Sequence, residues 1–365
     1  MKRFLIPLAA CVLMAGCVRT EPALKDVFAG TFILGTAIND AQIAGEDIKG
    51  DSVLIRHFAA IEPENCLKSG EVMPVFGQYD WILADKYVEF GEKYNLDVYG
   101  HTLIWHSQCT PDFCYDENGN LISPELLKER MKQHISTMVG RYKGHIKGWD
   151  VVNEAIMEDG SYRDSPFYRI LGEEFIPWAF QCAYEADPNC ELYYNDYSMH
   201  EPAKLDAVIA MAKKLKERGI RIDAIGFQGH MGMDYPDIDL YERHIRRVKE
   251  ETGLDVCITE LDMSILPTLT RSADLGAKPL SEADLNPYAD GIPESVAKQW
   301  NDRMAAMLKM FIRNSDVVKR VNVWGVCDAD NWKNNWPIPG RHDSPVWFDR
   351  NYKLKPFLRE YIYGR

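Results

Sequence analysis

The sequence lacks the excess of basic residues that nucleic-acid-binding proteins carry. Its 42 lysines and arginines are outnumbered by 55 aspartates and glutamates, which gives a formal net charge of −13. This balance repels a polyanion, because phosphate backbones are bound mainly through Lys and Arg. We therefore expect no nucleic-acid partner and favour an uncharged substrate, while noting that net charge bears mostly on solubility.

The sequence also lacks the regular cysteine spacing of a disulfide framework or a zinc site. It has nine cysteines but no C-x-x-C pair, the spacing on which many structural zinc sites and redox motifs rely. With Cys11 and Cys17 set aside, the remainder is odd in number and cannot all pair. We expect most of them to be buried thiols that pack as small apolar residues. A bridge between Cys109 and Cys114 is the alternative.

Long apolar runs are missing everywhere except at the N-terminus. There, Lys2 and Arg3 precede an apolar stretch from Phe4 to Ala15. The stretch is too short to span a bilayer and has the basic-then-apolar layout of an export signal. It ends in Leu13-Met14-Ala15-Gly16-Cys17, which resembles the lipobox of bacterial lipoproteins.

This N-terminal pattern predicts three segments. We expect residues 1–16 to be a lipoprotein signal peptide, residues 17–28 a tether with a lipid on Cys17, and residues 29–365 the single folded domain. The protein would then be exported and held at the outer membrane, on its periplasmic or cell-surface side, and would touch the membrane only through that lipid. An ordinary cleaved secretory signal is the alternative.

Short β-rich runs alternate with helical segments along the rest of the chain. Ala203–Arg218 and Tyr241–Thr252 are examples of the helical segments. Such alternation predicts parallel βαβ units, and eight of them close a barrel. The predicted fold is therefore a single (β/α)8 TIM barrel of the α/β class. The predicted strands are Phe32–Ile38, His57–Ile61, Asp97–Ile104, Ile146–Val152, Glu191–Tyr194, Ala224–Phe227, Asp255–Thr259 and Val321–Val326.

Two further features bear on this architecture. A doubly wound open sheet would carry a Gly-rich phosphate turn after its first strand, and Gly35-Thr36-Ala37-Ile38 is not one. The longest irregular stretch runs from about Pro267 to Pro293, after the seventh strand. A loop of that length is more often functional than a domain boundary, so we interpret it as a substrate-contacting lid.

Two glutamates stand at the ends of apolar strands. Glu154 closes the fourth strand and Glu260 follows the seventh. Active sites of this fold lie at the C-terminal ends of the strands, so both side chains should reach one mouth. Paired carboxyl groups are what glycosidic cleavage needs, because one must protonate the leaving oxygen while the other attacks the anomeric carbon or activates water.

The chain resembles glycoside hydrolase family 10, the retaining endo-β-1,4-xylanases. The resemblance rests on seven segments that occur in family order along nearly the whole mature sequence. They are Pro63-Glu64-Asn65-Cys66-Leu67-Lys68, Gly100-His101-Thr102-Leu103-Ile104-Trp105-His106-Ser107-Gln108, Trp149-Asp150-Val151-Val152-Asn153-Glu154, Tyr194-Asn195-Asp196-Tyr197, Gly226-Phe227-Gln228-Gly229-His230, Ile258-Thr259-Glu260-Leu261-Asp262 and Trp324-Gly325-Val326.

The resemblance implies a role for each matching residue. Glu154 would be the acid/base and Glu260 the nucleophile of a double displacement on xylan and xylo-oligosaccharides, supported by Asn153, Gln228 and His230. Asn153 would hydrogen-bond the sugar 2-hydroxyl. The implied substrate-binding residues are Glu64, Asn65, Lys68, His101, Trp105, Gln108, Asn195, Trp324 and Trp332. No metal or cofactor is implied, since His101 and His106 do not fit a zinc pattern.

Three local expectations follow from the spacing. Asn153 and Glu154 are consecutive and would point to opposite faces of a regular strand, so we predict that the strand end bends or bulges there. Gln228 and His230 are two residues apart and should share one face of the sixth strand. Because that strand should neighbour the seventh, we predict a hydrogen bond between His230 and Glu260.

Other functions remain open at this stage. A non-catalytic glycan-binding lipoprotein would explain the anchor and the tryptophans but has no need of both glutamates. A β-1,4-glucanase or an exo-glycosidase would keep the fold and the chemistry. Glucan carries a hydroxymethyl group that xylan lacks, so the space near Trp324 and Trp332 should decide between the two polymers. The sequence carries no signal for oligomerisation, and a monomer is the default expectation.

Overall fold

The structure is a computed structural model that describes residues 21–267 and 285–364. The predicted signal peptide and the lipidation site at Cys17 lie outside the described residues. So does most of the predicted lid, namely residues 268–284.

Eight parallel strands close into a barrel, so the predicted (β/α)8 fold is confirmed. The strands follow one another around the ring, β1 pairs with β9, and β6 pairs with β8 to complete the closure. The two-residue strand β7 lies beside the end of β8. The strands are β1 (Ile33–Ile38), β2 (Ala60–Pro63), β3 (Asp97–Gly100), β4 (Gly148–Asn153), β5 (Glu191–Asp196), β6 (Ala224–Phe227), β7 (His230–Met231), β8 (Asp255–Met263) and β9 (Val318–Val323).

Helices connect the strands and cover the outside of the barrel. Those in the described residues are α1 (Leu24–Val27), α2 (Asp40–Ala44), α3 (Ile48–His57), α4 (Ser69–Val72), α5 (Ile82–Tyr94), α6 (Pro124–Arg141), α7 (Pro166–Leu171), α8 (Phe175–Ala186), α9 (Pro202–Glu217), α10 (Ile238–Thr252), α11 (Glu294–Arg313) and α12 (Pro356–Tyr363). Three single-turn 3₁₀ helices cover Gly172–Glu174, Asp328–Asp330 and Trp332–Asn334.

Local sequence signals account for several helix starts. Ser123 caps α6 by accepting a hydrogen bond from the Leu126 amide, and Pro124 occupies the first turn, where its missing N–H costs nothing. Asp237 caps α10 in the same way through the Leu240 amide. These caps end the loops that follow the strands and so fix where each covering helix begins.

The barrel interior has an apolar layer and a charged one. Ala60, Tyr99, Tyr193, Ala224 and Cys257 form a small buried cluster inside the ring, separate from the large core between strands and helices. The guanidinium of Arg320 lies 3.7 Å from the Tyr99 ring centroid and pairs with the Glu62 carboxylate at 2.8 Å. A buried charge needs such a partner to offset its desolvation.

The N-terminal helix α1 is part of the packed domain. Leu24 is fully buried, and its amide donates to Nδ1 of His57 at the end of α3. Phe28 is also buried, stacking on Phe32 and on Tyr361 of α12. The predicted boundary at residue 29 is therefore too late, and any tether ends before Leu24.

Two other expectations can be compared with the described residues. The seven cysteines among them are all free thiols, most of them buried, so the alternative of a Cys109–Cys114 bridge is wrong. Within the described ranges, no helix has the length and apolar character needed to cross a bilayer.

Candidate active site

A cleft of about 640 Å³ opens at the C-terminal ends of the strands. Its lining gathers residues from loops and strand ends spread over most of the barrel. These are Glu64, Asn65, Lys68, His101, Trp105, Gln108, Asn153, Glu154, Gln228, His230, Glu260, Trp324 and Trp332. Every predicted catalytic and binding side chain within the described residues lies here, with the exception of Asn195.

Glu154 follows β4 at a point where the strand becomes irregular. The pairing register between β4 and β5 shifts between Asp150 and Val152. Glu154 itself adopts a φ of 57°, in the left-handed region that non-glycine residues seldom occupy. The predicted distortion is thus present, and because of it Asn153 and Glu154 both line the cleft.

The Glu154 carboxyl group is held by two neutral donors. The indole Nε1 of Trp105 donates to Oε2 at 2.8 Å, and the amide Nε2 of Gln228 donates to Oε1 at 2.9 Å. Burial raises the pKa of this carboxyl group above its ordinary value, and the nearby Asp196 carboxylate adds to the effect, although the two hydrogen bonds oppose it. Glu154 is therefore the carboxyl group of the pair that retains its proton more readily.

Glu260 lies within β8 and has the opposite electrostatic environment. Nε2 of His230 lies 3.0 Å from its Oε2, so the predicted contact is present, and Nδ2 of Asn195 donates to Oε1 at 2.7 Å. Burial alone would raise its pKa, but the hydrogen bond from His230, the positive charge of that imidazolium and the hydrogen bond from Asn195 outweigh burial. The pKa of Glu260 is consequently lowered, and the group remains ionised.

His230 connects Glu260 to a second buried carboxylate. Its Nδ1 lies 3.0 Å from Oδ2 of Asp262, which also accepts a hydrogen bond from Nε1 of Trp332. Burial disfavours the charged imidazole, yet the two carboxylates prevail and raise the pKa of His230 to about 9. The imidazolium thus forms an ion pair with each of the two carboxylates, which holds the ring between them.

A chain of amide hydrogen bonds joins the two glutamates. Asn153 Oδ1 accepts from Asn195 Nδ2 at 3.0 Å and from Gln228 Nε2 at 3.4 Å. Because Asn195 also donates to Glu260 and Gln228 also donates to Glu154, the glutamates share one continuous network. Their relative placement is thus set by three amides and not by loop conformation.

Asn195 corrects one expectation. It was predicted to bind substrate, but its side chain is fully buried and does not line the cleft. Its amide nitrogen serves Asn153 and Glu260, and its oxygen accepts from Thr259 Oγ1 at 2.5 Å. The residue therefore orients the groups that face the substrate.

The comparisons with known proteins agree with this geometry. The profile of Glycosyl hydrolase family 10 matches residues 23–362. This chain belongs to that family. It is 42% identical over 360 residues to endo-1,4-β-xylanase A of Xylanibacter ruminicola, covering 98% of this chain and 96% of the relative. It is 35% identical to an endo-1,4-β-xylanase of Geobacillus stearothermophilus, covering 92% of this chain and 96% of the relative.

Solved structures of family 10 members superpose on the barrel. An endoxylanase retrieved from a sugarcane soil metagenome matches with a TM-score of 0.87 at 37% identity, covering 94% of this chain and 99% of its own. Xylanase B from Clostridium stercorarium F9 matches with a TM-score of 0.84 at 31% identity, covering 94% and 100% respectively. The family fold therefore extends over the barrel and its covering helices.

One end of the family 10 cleft is built around a buried lysine. Nζ of Lys68 donates to Oδ1 of Asn65 at 3.1 Å and to Oε1 of Gln108 at 2.8 Å. Burial lowers the pKa of Lys68, while the neighbouring glutamates oppose that change. Burial likewise raises the pKa of Glu64 to about 7, against the charge of Lys68. Such a set of donors and acceptors suits sugar hydroxyl groups.

The tryptophans of the cleft have more than one partner each. Trp105 donates to Glu154 and lies beneath the Lys68 ammonium, 5.0 Å from the ring centroid. Trp324 packs edge-on against His101, with 5.6 Å between ring centroids. Trp332 donates to Asp262 and stacks on Trp336. All three line the cleft. Trp105 and Trp332 also donate hydrogen bonds to carboxylates of the site, contacts that the sequence did not predict.

One carboxylate–histidine group beneath the cleft has ligand-type atoms close together. Glu62, His101 and Asp150 offer atoms within 4.8 Å of one another. These groups already have ionic partners: Nδ1 of His101 lies 2.8 Å from Asp150, and Arg320 pairs with Glu62. Because the Arg320 cation occupies the position of a counter-ion, the cluster is better described as a buried ion-pair network than as a metal centre.

Two parts of this site were not identified from the sequence. Asp262 was quoted within a motif but not assigned a role, although its spacing of two from Glu260 places both on one face of β8. The indole donor to Glu154 had no sequence signal, because Trp105 lies in the loop after β3 and its direction depends on that loop's path.

Proposed function

We propose that the chain is a retaining endo-1,4-β-xylanase that hydrolyses internal β-1,4-xylosidic bonds of xylan. One observation carries the proposal: a single cleft holds two carboxyl groups, Glu260 buried and Glu154 partly buried, whose pKa values are displaced in opposite directions. Environments that separate two carboxyl groups in this way assign one as acid and the other as nucleophile. The substrate class comes from the family 10 relatives, which are named endo-1,4-β-xylanases.

In the first step, an ionised oxygen of Glu260 attacks the anomeric carbon. Glu154 transfers its proton to the glycosidic oxygen as that bond breaks, so that the leaving sugar departs as an alcohol. The positive charge of His230 and the Asn195 amide hold the attacking carboxylate in place. Asn153 lines the cleft beside both carboxyl groups and can donate its amide to the 2-hydroxyl.

In the second step, Glu154 is ionised because it has given up its proton. It accepts a proton from water, whose oxygen attacks the anomeric carbon and displaces the Glu260 carboxylate. Two inversions give net retention, and both glutamates return to their starting protonation states. Both steps use only groups of the chain, the sugar and one water molecule.

The roles of the glutamates can be tested separately by chemical rescue. Glu260→Ala and Glu154→Ala should each lose activity on linear xylan by orders of magnitude, because each removes one half of the double displacement. On an aryl xylobioside with a good leaving group, azide should restore both variants. The Glu260 variant should give the α-glycosyl azide, and the Glu154 variant the β-glycosyl azide.

The product stereochemistry decides the assignment. Exchanged azide products would reverse the two roles, and full activity of either variant would refute the mechanism. Soluble β-1,4-glucan should be run in parallel with the unaltered chain. Release of xylo-oligosaccharides from xylan alone supports a xylanase, whereas equal release from glucan would refute the substrate assignment.

We further propose that the protein is exported and anchored by a lipid on Cys17. The support is the sequence Leu13-Met14-Ala15-Gly16-Cys17 behind a basic start and an apolar stretch. In a Gram-negative host, the full chain should incorporate labelled fatty acid and sediment with the outer membrane, while Cys17→Ala should not. Unlabelled, soluble wild-type protein would refute the anchor.

A further inference from the structure

The backbone of Glu154 is in a conformation that its own carboxyl chemistry does not require. Its φ of 57° is left-handed, a conformation that strains an L-residue. A residue of this kind persists only when its surroundings hold it. The contacts of the peptide unit that follows Glu154 identify what holds it.

Side chains form hydrogen bonds with both polar atoms of this peptide unit. The Glu154 carbonyl oxygen accepts a hydrogen bond from Nε of Arg163 at 2.9 Å. The next amide, that of Ala155, donates to the Tyr194 hydroxyl at 3.1 Å. The amide of Glu154 donates to the Asn195 carbonyl at 2.9 Å and so continues the β5 pairing. Tyr194 and Asn195 both belong to the neighbouring strand β5. Of the three contacts, only the one from Arg163 comes from another part of the chain.

A hairpin directly after Glu154 brings Arg163 back to it. The Arg163 amide donates to the Ala155 carbonyl at 2.8 Å, and Ile156 pairs antiparallel with Tyr162. The hairpin tip at Gly160 lies against α9, since a Cβ there would be 2.8 Å from the Ala203 carbonyl oxygen. The hairpin therefore has little freedom to move the guanidinium away from Glu154.

The far side of the Arg163 guanidinium is anchored as well. Nη2 donates to the hydroxyl of Tyr197, just beyond β5. The Tyr197 ring lies under the Lys204 ammonium, 3.8 Å from the ring centroid, and Lys204 forms a fully buried ion pair with Asp196 at 2.7 Å. Arg163 does not line the cleft, so it acts on a bound substrate through Glu154, whose carbonyl it holds and whose carboxyl group lies within reach of its charge.

We propose that Arg163 is a positioning residue for the acid/base: by fixing the Glu154 carbonyl it aims the Glu154 carboxyl group at the leaving oxygen. This inference rests on the proposed function. The planar guanidinium serves two acceptors at once in a fixed geometry, which the single ammonium of lysine cannot reproduce. The effect of Arg163 is therefore one of geometry, and charge alone does not replace it.

The test compares two aryl β-xylobiosides that differ only in the leaving group. A phenolate leaving group needs the proton of Glu154, whereas 2,4-dinitrophenolate departs without one. In Arg163→Gln we expect kcat/KM for the phenyl substrate to fall roughly tenfold or more, a part of the 10²–10⁴-fold that a positioned general acid contributes. For the dinitrophenyl substrate the fall should stay below about threefold, because binding and nucleophilic attack are unchanged.

Two variants make the result specific. Arg163→Lys should behave like Arg163→Gln, because it keeps the charge but loses the planar guanidinium that serves two acceptors at once. Arg169→Gln, in nearby α7, removes an exposed arginine that pairs with Asp164, and it should leave both rates at the wild-type level. Glu154→Ala supplies the full leaving-group dependence for reference.

The outcomes separate this inference from the proposed function. If the unaltered chain hydrolyses neither aryl xylobioside, the xylanase proposal fails. If the unaltered chain is active and the Arg163 variants lose both substrates equally, or neither, the positioning role is refuted and the xylanase proposal stands. Wild-type rates in Arg163→Lys would also refute it, since charge alone would then suffice. A variant that does not fold would give the equal loss that a purely structural role predicts.

Discussion

Glu154 and Glu260 are chemically identical side chains that their neighbours make different. Glu154 receives hydrogen bonds from two neutral donors and lies near the Asp196 carboxylate, whereas Glu260 faces the imidazolium of His230. A nearby negative charge favours the protonated form of a carboxyl group, and a nearby positive charge favours the ionised form. Which glutamate serves as acid and which as nucleophile is therefore decided by neighbouring groups. Asp262 is one of them, because it pairs with His230.

The pH dependence of hydrolysis follows from the two shifts. The first step needs Glu260 ionised and Glu154 protonated. The rate should fall as the pH drops through the lowered pKa of Glu260, and it should fall again as the pH rises through the raised pKa of Glu154. The resulting bell shape reports both groups.

Asp262→Asn should move only the acidic limb of this profile. Without the carboxylate, His230 loses its proton more readily than its pKa of about 9 now allows. The pKa of Glu260 then rises and the acidic limb shifts to higher pH. At pH 5 we expect kcat/KM to fall about tenfold or more, since a hydrogen bond to a charged group is worth roughly 1.5–3 kcal/mol. The measurement is kcat/KM against pH on an aryl xylobioside.

An exposed carboxylate provides the control for this experiment. Asp302→Asn on α11 makes the same change in net charge at a side chain that is 65% exposed. Its profile should match that of the wild type. An equal shift in both variants, or an unmoved acidic limb in Asp262→Asn, would contradict the role given to Asp262.

The sequence predicts which side chains meet in the cleft better than it predicts what each one contacts. Glu154, Glu260 and His230 each follow an apolar strand, and the barrel places all strand ends at one mouth. The contacts of Asn195 and Arg163 depend instead on register and on a left-handed residue. Neither the strand register nor the left-handed conformation can be read from residue type. A buried Asn and a substrate-binding Asn look the same in the sequence.

At the scale of elements, close packing between strands limits what the barrel wall can accept. Gly100 at the end of β3 pairs with Trp149 of β4. A Cβ on Gly100 would lie 2.2 Å from the Trp149 ring. The glycine therefore makes room for a buried tryptophan one strand away, just below the cleft.

Gly100→Ala should consequently destabilise the protein, by about 1–3 kcal/mol or more, as overpacking of a core does. Gly140→Ala is a matched control, because Gly140 lies in α6 with open space around its Cβ position. That change should stabilise by roughly 0.5–1 kcal/mol through helix propensity. Urea denaturation monitored by tryptophan fluorescence measures both; equal midpoints would contradict the packing argument.

The strand predictions failed where charged or turn-forming residues interrupt the apolar pattern. The last strand begins at Val318 and not at Val321, because Arg320 is buried in an ion pair that hydropathy does not reveal. The seventh predicted strand continues to Met263, since Glu260 and Asp262 alternate with apolar Leu261 and Met263. The third ends at Gly100, where the chain turns into the cleft loop. The sixth strand ends at Phe227 as predicted, but Gln228 and His230, which were expected to share one of its faces, lie beyond it, and His230 belongs to the separate β7.

At the scale of the whole molecule, the N-terminal helix α1 packs against the end of α3 and against α12. Phe28 is 1% exposed and contacts Phe32, Trp347 and Tyr361. These contacts join the first described helix to α12, the last one. The first and last described helices therefore stabilise each other, on the side of the barrel where the strands start.

Phe28→Ala should lower the free energy of unfolding by about 3–5 kcal/mol, as the loss of a buried phenylalanine does. Activity of the folded variant at 25 °C should stay within about twofold, because the cleft is at the other end of the barrel. Tyr363→Ala, which removes a 45% exposed ring from α12, should cost much less. A loss below about 1 kcal/mol in Phe28→Ala would show that α1 is not part of the cooperative unit.

The position of α1 also decides how a tethered enzyme would face its surroundings. The segment between Cys17 and Leu24 can reach at most about 25 Å when fully extended, and it joins the barrel at the face that carries the starts of the strands. A lipid on Cys17 would therefore hold that face toward the bilayer and leave the substrate groove pointing outward. An insoluble polymer could then be cut without having to enter the space between enzyme and membrane.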